Sequence, residues 1–462
     1  MSKAMDGMPR DRVPGPGVAR DGAGLRRRRA WRGGGGVSKA MDGMRATTCP
    51  ACGFHVAVLF YDGGRQPLAT LGWPRSAEEA CAMPRLPLEF VRCVDCGHVF
   101  NAALDYTQVP YTDQPNRMFN RGRRWSAFLE RVRGEMLGRL GARPVVVEIG
   151  HGAGHLLEAL ARERPAGRYL GFDPHGASAS EHPAVEFRRA LFLPERHLAE
   201  LRPELIVSRH VLEHLTDPLG FVQSLSFAAA AAGLRPLLYL EVPCVDRALE
   251  TGRIEDFYYE HNSHFTTESF SRMLARSFTS IDALEHGYNG EVVYSFLRLK
   301  GRLEHLEHAR AARAFRQWAE TSRSTIALEL TSLHLAGKRV AVWGGTGKSA
   351  AFLQAYGVDA GRFPLVVDSD PEKAGTYVPG TGQRIEYRDA LVGARVDVLL
   401  IPTQWRARDI VEEAERAGIR CERVLIPHGG RLVDYVGGEH PYGNCPSQAK
   451  ACATNCPSQA LQ

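Results

Sequence analysis

The 462-residue sequence has no uninterrupted apolar run near the roughly 18 residues that a membrane span needs. Its N-terminus also lacks the apolar core of a secretory signal, so a soluble, cytoplasmic chain is expected. Charge of one sign is scarce as well, once its position is considered. The formal net charge is +6, from 58 Lys and Arg against 52 Asp and Glu. Residues 1–45 hold 11 of those bases and four of the acids, which leaves 47 bases and 48 acids for the rest. A body this close to neutral offers no broad polyanion-binding face, so neither nucleic acid nor a membrane surface is an expected partner. What remains is ordinary globular composition, 44% hydrophobic, with length enough for about three domains.

The basic end is rich in Gly and Arg (RRRRAWRGGGG) and repeats SKAMDGM at Ser2–Met8 and Ser38–Met44. Residues 1–45 are therefore expected to be a disordered leader, an upstream extension rather than a functional repeat. The opposite end repeats NCPSQA at Asn444 and Asn455, and residues 437–462 are expected to be a disordered tail. Between them the sequence divides into a cysteine module (46–105), an α/β domain (106–300), a helical connector (301–335) and a second α/β domain (336–436).

Two of the pairs among the ten cysteines, Cys49/Cys52 and Cys93/Cys96, have Cys-x-x-Cys spacing and stand 40 residues apart. In a reducing compartment they read as metal ligands rather than disulfides. Four thiolates saturate a tetrahedral Zn²⁺, and a closed site neither polarises a substrate nor activates water, so the expected zinc is structural. Cys81, between the pairs, reads as a buried thiol. The linker PLATLGWPRSAEEACAMPRLPLEF lacks the basic and aromatic alternation of a nucleic-acid-binding ribbon.

The segment VVVEIGHGAGH, residues 145–155, is a buried-strand run entering a glycine turn, followed by Leu156, Leu157 and Leu160 at helical spacing. Glu148, Gly150, Gly152 and Gly154 form E-x-G-x-G-x-G, in which the glycines admit a ligand close to the backbone at a helix N-terminus. Nineteen residues after Gly154, a second strand ends on Asp173, placed to accept hydrogen bonds from ribose hydroxyls. The dinucleotide spacing would be G-x-G-x-x-G, which this turn does not have. Further on, ELIVSRHVLEHLTDP is a strand running into a loop and helix. Together these motifs resemble the class I S-adenosylmethionine-dependent methyltransferases. The resemblance implies S-adenosylmethionine as cofactor, with His210 beside its methionine part and Ala190 and Leu191 near its adenine. His214 reads as a structural helix-end residue and His151 as a tolerated turn residue.

After the strand RPLLYLEVP comes Tyr258-Tyr-Glu-His-Asn-Ser-His-Phe265, a polar group no core would hold, with histidines suited to general-base work. The order of four-cysteine module, methyltransferase domain, Y-x-E-H-x-x-x-F loop and second Rossmann-like domain resembles the nucleotide-sugar C-methyltransferases over about 390 residues. That family methylates a ring carbon of nucleotide-linked 4-keto-deoxysugars, and its loop commonly reads Y-H-E-H-x-x-Y-F. The resemblance implies His261 as base, with Glu260 orienting it or bonding the sugar and Tyr258 stabilising an enolate. Tyr259 and His264 stand where the family has histidine and tyrosine, and are expected to face the substrate. Upstream, Tyr106 and Tyr111 stand where the family has substrate-facing tyrosines, and Tyr111 is the stronger catalytic candidate.

In the C-terminal domain, GGTGKS is tempting as a P-loop, but the position where that motif requires its first glycine is Val342, which argues against ATP hydrolysis. The phrases WGGTGKSAAFL and DSDPEKAGTYVPGTGQRI resemble the C-terminal domain of the same sugar methyltransferases, where Lys348 would meet a diphosphate or sugar. The expected fold is α/β, a class I methyltransferase domain flanked by a small zinc module and a second Rossmann-like domain. The expected protein is a monomer or homodimer acting on a nucleotide-sugar. Methylation of oxygen or nitrogen on another small molecule stays open, as does a zinc-containing nucleic-acid-binding regulator.

Overall fold

A computed structural model describes residues 43–71, 73–109 and 122–443. Tyr111, most of the leader, and Cys445, Cys452 and Cys456 of the tail lie outside the described residues. Strand pairing reaches into the last residues of the expected leader. Strand β1 (Met44–Ala46) pairs with β2 (Val56–Gln66), and Arg45 reaches Glu89 at 2.7 Å. Strands β3 (Leu86–Cys93) and β4 (Val99–Asn101) complete four strands of an antiparallel sheet.

The middle domain is a seven-stranded sheet. Its first five strands are β5 (Val145–Ile149), β6 (Arg168–Phe172), β7 (Val185–Arg188), β8 (Leu205–Arg209) and β9 (Leu237–Pro243), all parallel. All but β7 (VEFR) are near-continuous apolar runs, as expected of parallel strands covered on both faces. After them β10 (Ser263–His264) crosses to β4 and becomes the fifth strand of the first sheet. Strands β11 (Thr279–Gly287) and β12 (Val292–Leu299) return to the middle sheet as an antiparallel edge. The order β11-β12-β9-β8-β5-β6-β7 reverses direction between β5 and β8, and ligands of doubly wound sheets bind outside the carboxyl ends of such strands.

One helix, Leu303–Leu335, buries only Ser322, Ile326 and Leu330, a stripe at four-residue spacing that packs on the third sheet. That sheet comprises β13 (Val340–Trp343), β14 (Leu365–Asp368), β15 (Ile385–Tyr387), β16 (Val398–Leu400), β17 (Arg423–His428) and β18 (Arg431–Asp434). Its order β15-β14-β13-β16-β17-β18 is parallel except for the last strand. The chain past residue 436, expected as tail, still packs as far as His440. That ring is buried, stacks on Tyr435 and bonds the Tyr435 carbonyl at 2.8 Å. No described helix is long and apolar enough to cross a membrane.

Candidate active site

The four cysteines of the N-terminal module come together from two turns of the same construction. Gly53 N–H donates to the Cys49 carbonyl and Gly97 N–H to that of Cys93, at 2.8 and 3.1 Å. All four thiols are buried and mutually within 4.8 Å, with Cys49 to Cys96 at 3.7 Å and Cys52 to Cys93 at 3.6 Å. A tetrahedron of metal–sulfur bonds of about 2.3 Å has edges of about 3.8 Å, so this set fits a zinc ion. Arg276 anchors the module to the middle domain through the Cys52 carbonyl and Asp95. Cys81, expected to be buried, is exposed on a six-residue helix that buries none of its residues.

At the end of β5 the glycine turn is close-fitting. A Cβ at Gly150 would stand 2.4 Å from Val211, and one at Gly154 2.0 Å from the Phe187 ring, while φ is 76° and 79° at these positions. Side chains are excluded there on both counts. Asp173 steadies the turn, accepting from Gly152 N–H at 3.0 Å and from His175 N–H at 2.8 Å, and each oxygen keeps a second lone pair. His151 is more than a tolerated turn residue: it is buried, stacks on Phe187 at 4.4 Å and lies against Gly171 and Gly176. Ala190 and Leu191 are exposed.

Glu148 is only 3% exposed, and its Oε2 has no partner. Burial pushes its carboxyl up to about 8, against the pull of Arg209. An orphaned buried carboxylate oxygen beside a glycine turn is a fit for an ammonium group, such as the amino-acid end of S-adenosylmethionine.

Beside it lies a buried ionic group that the sequence did not reveal. Arg209 places Nε and Nη2 at 3.0 and 2.8 Å from Glu241 Oε1, and the Tyr239 hydroxyl donates to Glu241 Oε2. His210, at φ 52°, sits 3.0 Å from Glu241 and 3.3 Å from Glu213, and its backbone N–H bonds the Glu241 carbonyl. Burial alone would depress His210, but the two carboxylates outweigh it and lift it to about 9. Burial likewise opposes the charge on Glu241, yet Arg209 and His210 hold its carboxyl well below the usual range.

His210 faces a cavity of about 580 Å³ whose walls also include Trp125, Glu213, His214, Tyr258 and His261. The Tyr258 hydroxyl and His261 Nε2 are 2.8 Å apart. Burial, then His214, His264 and His210, drive His261 well below the usual imidazole range, so it is neutral. Burial and the nearby Glu213, Glu260 and Asp256 carboxylates push the Tyr258 phenol up, so it keeps its proton and donates to His261. His214 meets His261 edge to face at 4.8 Å, and its Nδ1 is 2.9 Å from the Glu260 carbonyl. It belongs to the cavity wall and is not merely a helix-end residue. His264 also reaches the wall, wedged against Phe90 and Phe257, and burial takes its pKa down to about 3.

Other expected site residues are placed elsewhere. The Glu260 carboxylate accepts from Thr70 N–H at 2.6 Å, Leu71 N–H at 3.0 Å and the Thr70 hydroxyl, joining the loop to the N-terminal module. Tyr259 is buried among Leu88, Phe90 and Phe257, and its hydroxyl accepts from Asp105 N–H at 2.8 Å. Tyr106 is 48% exposed on a short 3₁₀ turn away from the cavity wall. Lys348 begins the helix Lys348–Tyr356 in the C-terminal domain, with its ammonium 4.2 Å from the centre of the Trp405 ring.

Comparison with known proteins fits this geometry. Residues 119–277 match the family described as a methyltransferase domain, and residues 293–427 match the C-methyltransferase C-terminal domain. The chain is a methyltransferase. It is 23% identical over 315 residues to the C-methyltransferase NovU of Streptomyces niveus, covering 63% of this chain and 71% of that protein. Among solved structures, a SAM-dependent methyltransferase from Aquifex aeolicus is 14% identical, over 42% of this chain and 99% of its own, with a TM-score of 0.28. The dimethyltransferase RosA of Streptomyces davawensis is 19% identical, over 38% of this chain and 56% of its own, with a TM-score of 0.29. The methyltransferase thus carries its glycine turn and ionic group at the reversal point of the middle sheet, with the histidine cavity beside them.

Proposed function

We propose that the methyltransferase transfers a methyl group to a ring carbon of a nucleotide-linked keto-deoxysugar, with His261 as base. The observation that carries this reading is the neutral, half-buried His261 paired with a protonated Tyr258 at 2.8 Å on a cavity wall. When bound, S-adenosylmethionine supplies a methyl on a positively charged sulfur. A ring carbon is a poor nucleophile until the proton α to a carbonyl is gone, whereas oxygen or nitrogen already has a lone pair. A proton acceptor and a proton donor held side by side suit the first case.

Substrate entering the cavity displaces the phenol from Nε2. The freed lone pair takes the α-proton, and the C–H electrons move into an enolate whose oxygen accepts from the Tyr258 hydroxyl. With the cofactor bound, the enolate carbon would be the nucleophile for its methyl, the carbon–sulfur bonding pair remaining with sulfur, and His261 would hold the abstracted proton. Glu148, with Gly150, Gly152 and Gly154, would hold the cofactor's amino-acid end and Asp173 its ribose, and His210 would meet the methionine part from the cavity wall. Lys348 offers its charge to the diphosphate. Cys49, Cys52, Cys93 and Cys96 would hold a zinc ion that keeps the module, and through Glu260 the loop, in place. The departure at Tyr259 falls on a buried side chain off the cavity wall, which supports retention of the family's chemistry, whereas that at His264 reaches the wall and bears on the choice of substrate.

The test is incubation with a panel of nucleotide-linked 4-keto-sugars in deuterated water, followed by mass spectrometry. We expect α-deuterium incorporation and methylation with wild-type protein, and loss of both in His261→Ala with cofactor affinity retained. Full activity of His261→Ala would remove it as the base, and neither exchange nor methylation across the panel would sink the carbon-methylation reading.

A further inference from the structure

We propose that Glu213, His214 and His261 form a second cation site, open to the cavity, that takes a divalent ion of the zinc, cobalt or nickel class. Each side chain offers one ligand atom, and the three atoms lie within 4.8 Å of one another. Glu213 is 1% exposed, and its Oε2 is buried with no hydrogen-bond partner although the residue lines the cavity. An unmet carboxylate oxygen in such a place costs free energy that a cation would recover.

His214 supplies a second, independent observation. Its Nδ1 is 2.9 Å from the Glu260 backbone carbonyl, the kind of contact to a carbonyl that orients metal-binding imidazoles. That carbonyl is fixed in turn, because the Glu260 side chain is tied to Thr70 and Leu71. The cavity wall adds the Glu255 carboxylate, whereas Asp256 and Glu291 are held by Arg253 at 2.9 and 2.7 Å. Two imidazoles and a carboxylate suit borderline transition ions better than Mg²⁺ or Ca²⁺, and three protein ligands leave a position for water or substrate. The alternative group of Cys244, Asp246 and His286 is already tied together, since the Thr267 hydroxyl bonds both Asp246 and His286.

An ion held here displaces the Tyr258 hydroxyl and takes the one available ring lone pair of His261. If His261 is the base, as proposed above, loading the site inhibits methyl transfer, and a chelator reverses the inhibition. That consequence rests on the proposed function, whereas occupancy of the site does not.

The experiment strips the full-length protein of metal and titrates it with Co²⁺ alone, in the absence of sugar. The cysteine site reports through an intense thiolate-to-cobalt band in the near ultraviolet, and the cavity site through weak visible bands without it. Two equivalents are expected in wild type. Only the second should disappear in His214→Ala and in His261→Asn, and it should weaken in Glu213→Gln, while the thiolate band persists as the sign of an intact fold. A single equivalent in wild type, or a second that survives both histidine variants, overturns the proposal. Failure of the inhibition with two equivalents bound would instead count against His261 as base.

Discussion

Two buried side chains hold protonation states opposite to those they have in water. Glu148 is raised to about 8 by burial, so at neutral pH the empty site carries it protonated. An ammonium arriving at its Oε2 favours the carboxylate, so binding S-adenosylmethionine at pH 7 should release about one proton from this group. Calorimetry in buffers of different ionisation enthalpy measures that proton, and it should vanish in Glu148→Gln. His210 runs the other way. Its folded value of about 9 exceeds the unfolded value of about 6.5, so its stabilisation is complete below the latter and is lost as pH rises through 9. Glu241 is the anion on which both Arg209 and His210 depend. Replacing it by Gln leaves two buried cations short of a partner, and a loss of about 3–5 kcal/mol in denaturant unfolding is expected. The His210 titration, followed by NMR, should drop in the same variant.

The reaction loop is an element shared by two domains, and this separates what was legible in the sequence from what was not. The Cys-x-x-Cys turns and the glycine turn are local, so spacing exposed them, and the Tyr258/His261 pair, also local, came from the family resemblance. Glu260 lies beside His261 in sequence, but its carboxylate bonds Thr70, 190 residues away. No spacing rule reports such a contact, and the expected role at the imidazole followed proximity in the chain. The roles of His214 and Glu241 were hidden for the same reason: one meets the loop only in the folded chain, and the other sat unremarked inside the apolar strand β9. Because β10 and Glu260 attach the loop to the first sheet, loosening that sheet should disarm the loop. Substituting Cys49→Ser, which removes one of the four thiols of the module, is expected to abolish methyl transfer while leaving S-adenosylmethionine affinity within about twofold. Glu260→Ala should do the same more mildly, since hydrogen bonds to a charged group are worth about 1.5–3 kcal/mol. Equal loss of cofactor binding and turnover would show that the module supports the whole middle domain instead.

Across the whole molecule the two large sheets repeat one plan. In each, a central strand runs into a glycine turn and helix, and an Asp at the end of the neighbouring strand accepts from the turn, Asp173 from Gly152 and Asp368 from Gly345. The copies differ in what surrounds the turn. The middle domain adds an orphaned carboxylate for a cationic group, whereas the C-terminal domain adds Lys348 at the start of its helix, where backbone N–H groups and the ammonium favour an anion. The division suggests that the cation-bearing cofactor and the anionic end of the substrate are held by different domains. Lys348→Ala should then raise KM for the nucleotide-sugar about tenfold, a loss of about 1.4 kcal/mol, with kcat and S-adenosylmethionine affinity unchanged. Steady-state kinetics at varied ionic strength make the test stricter, because a genuine ammonium–phosphate contact weakens with salt in the wild type and not in the variant. An unchanged KM with a lowered kcat would mean that Lys348 and Trp405 position the C-terminal domain rather than bind the diphosphate.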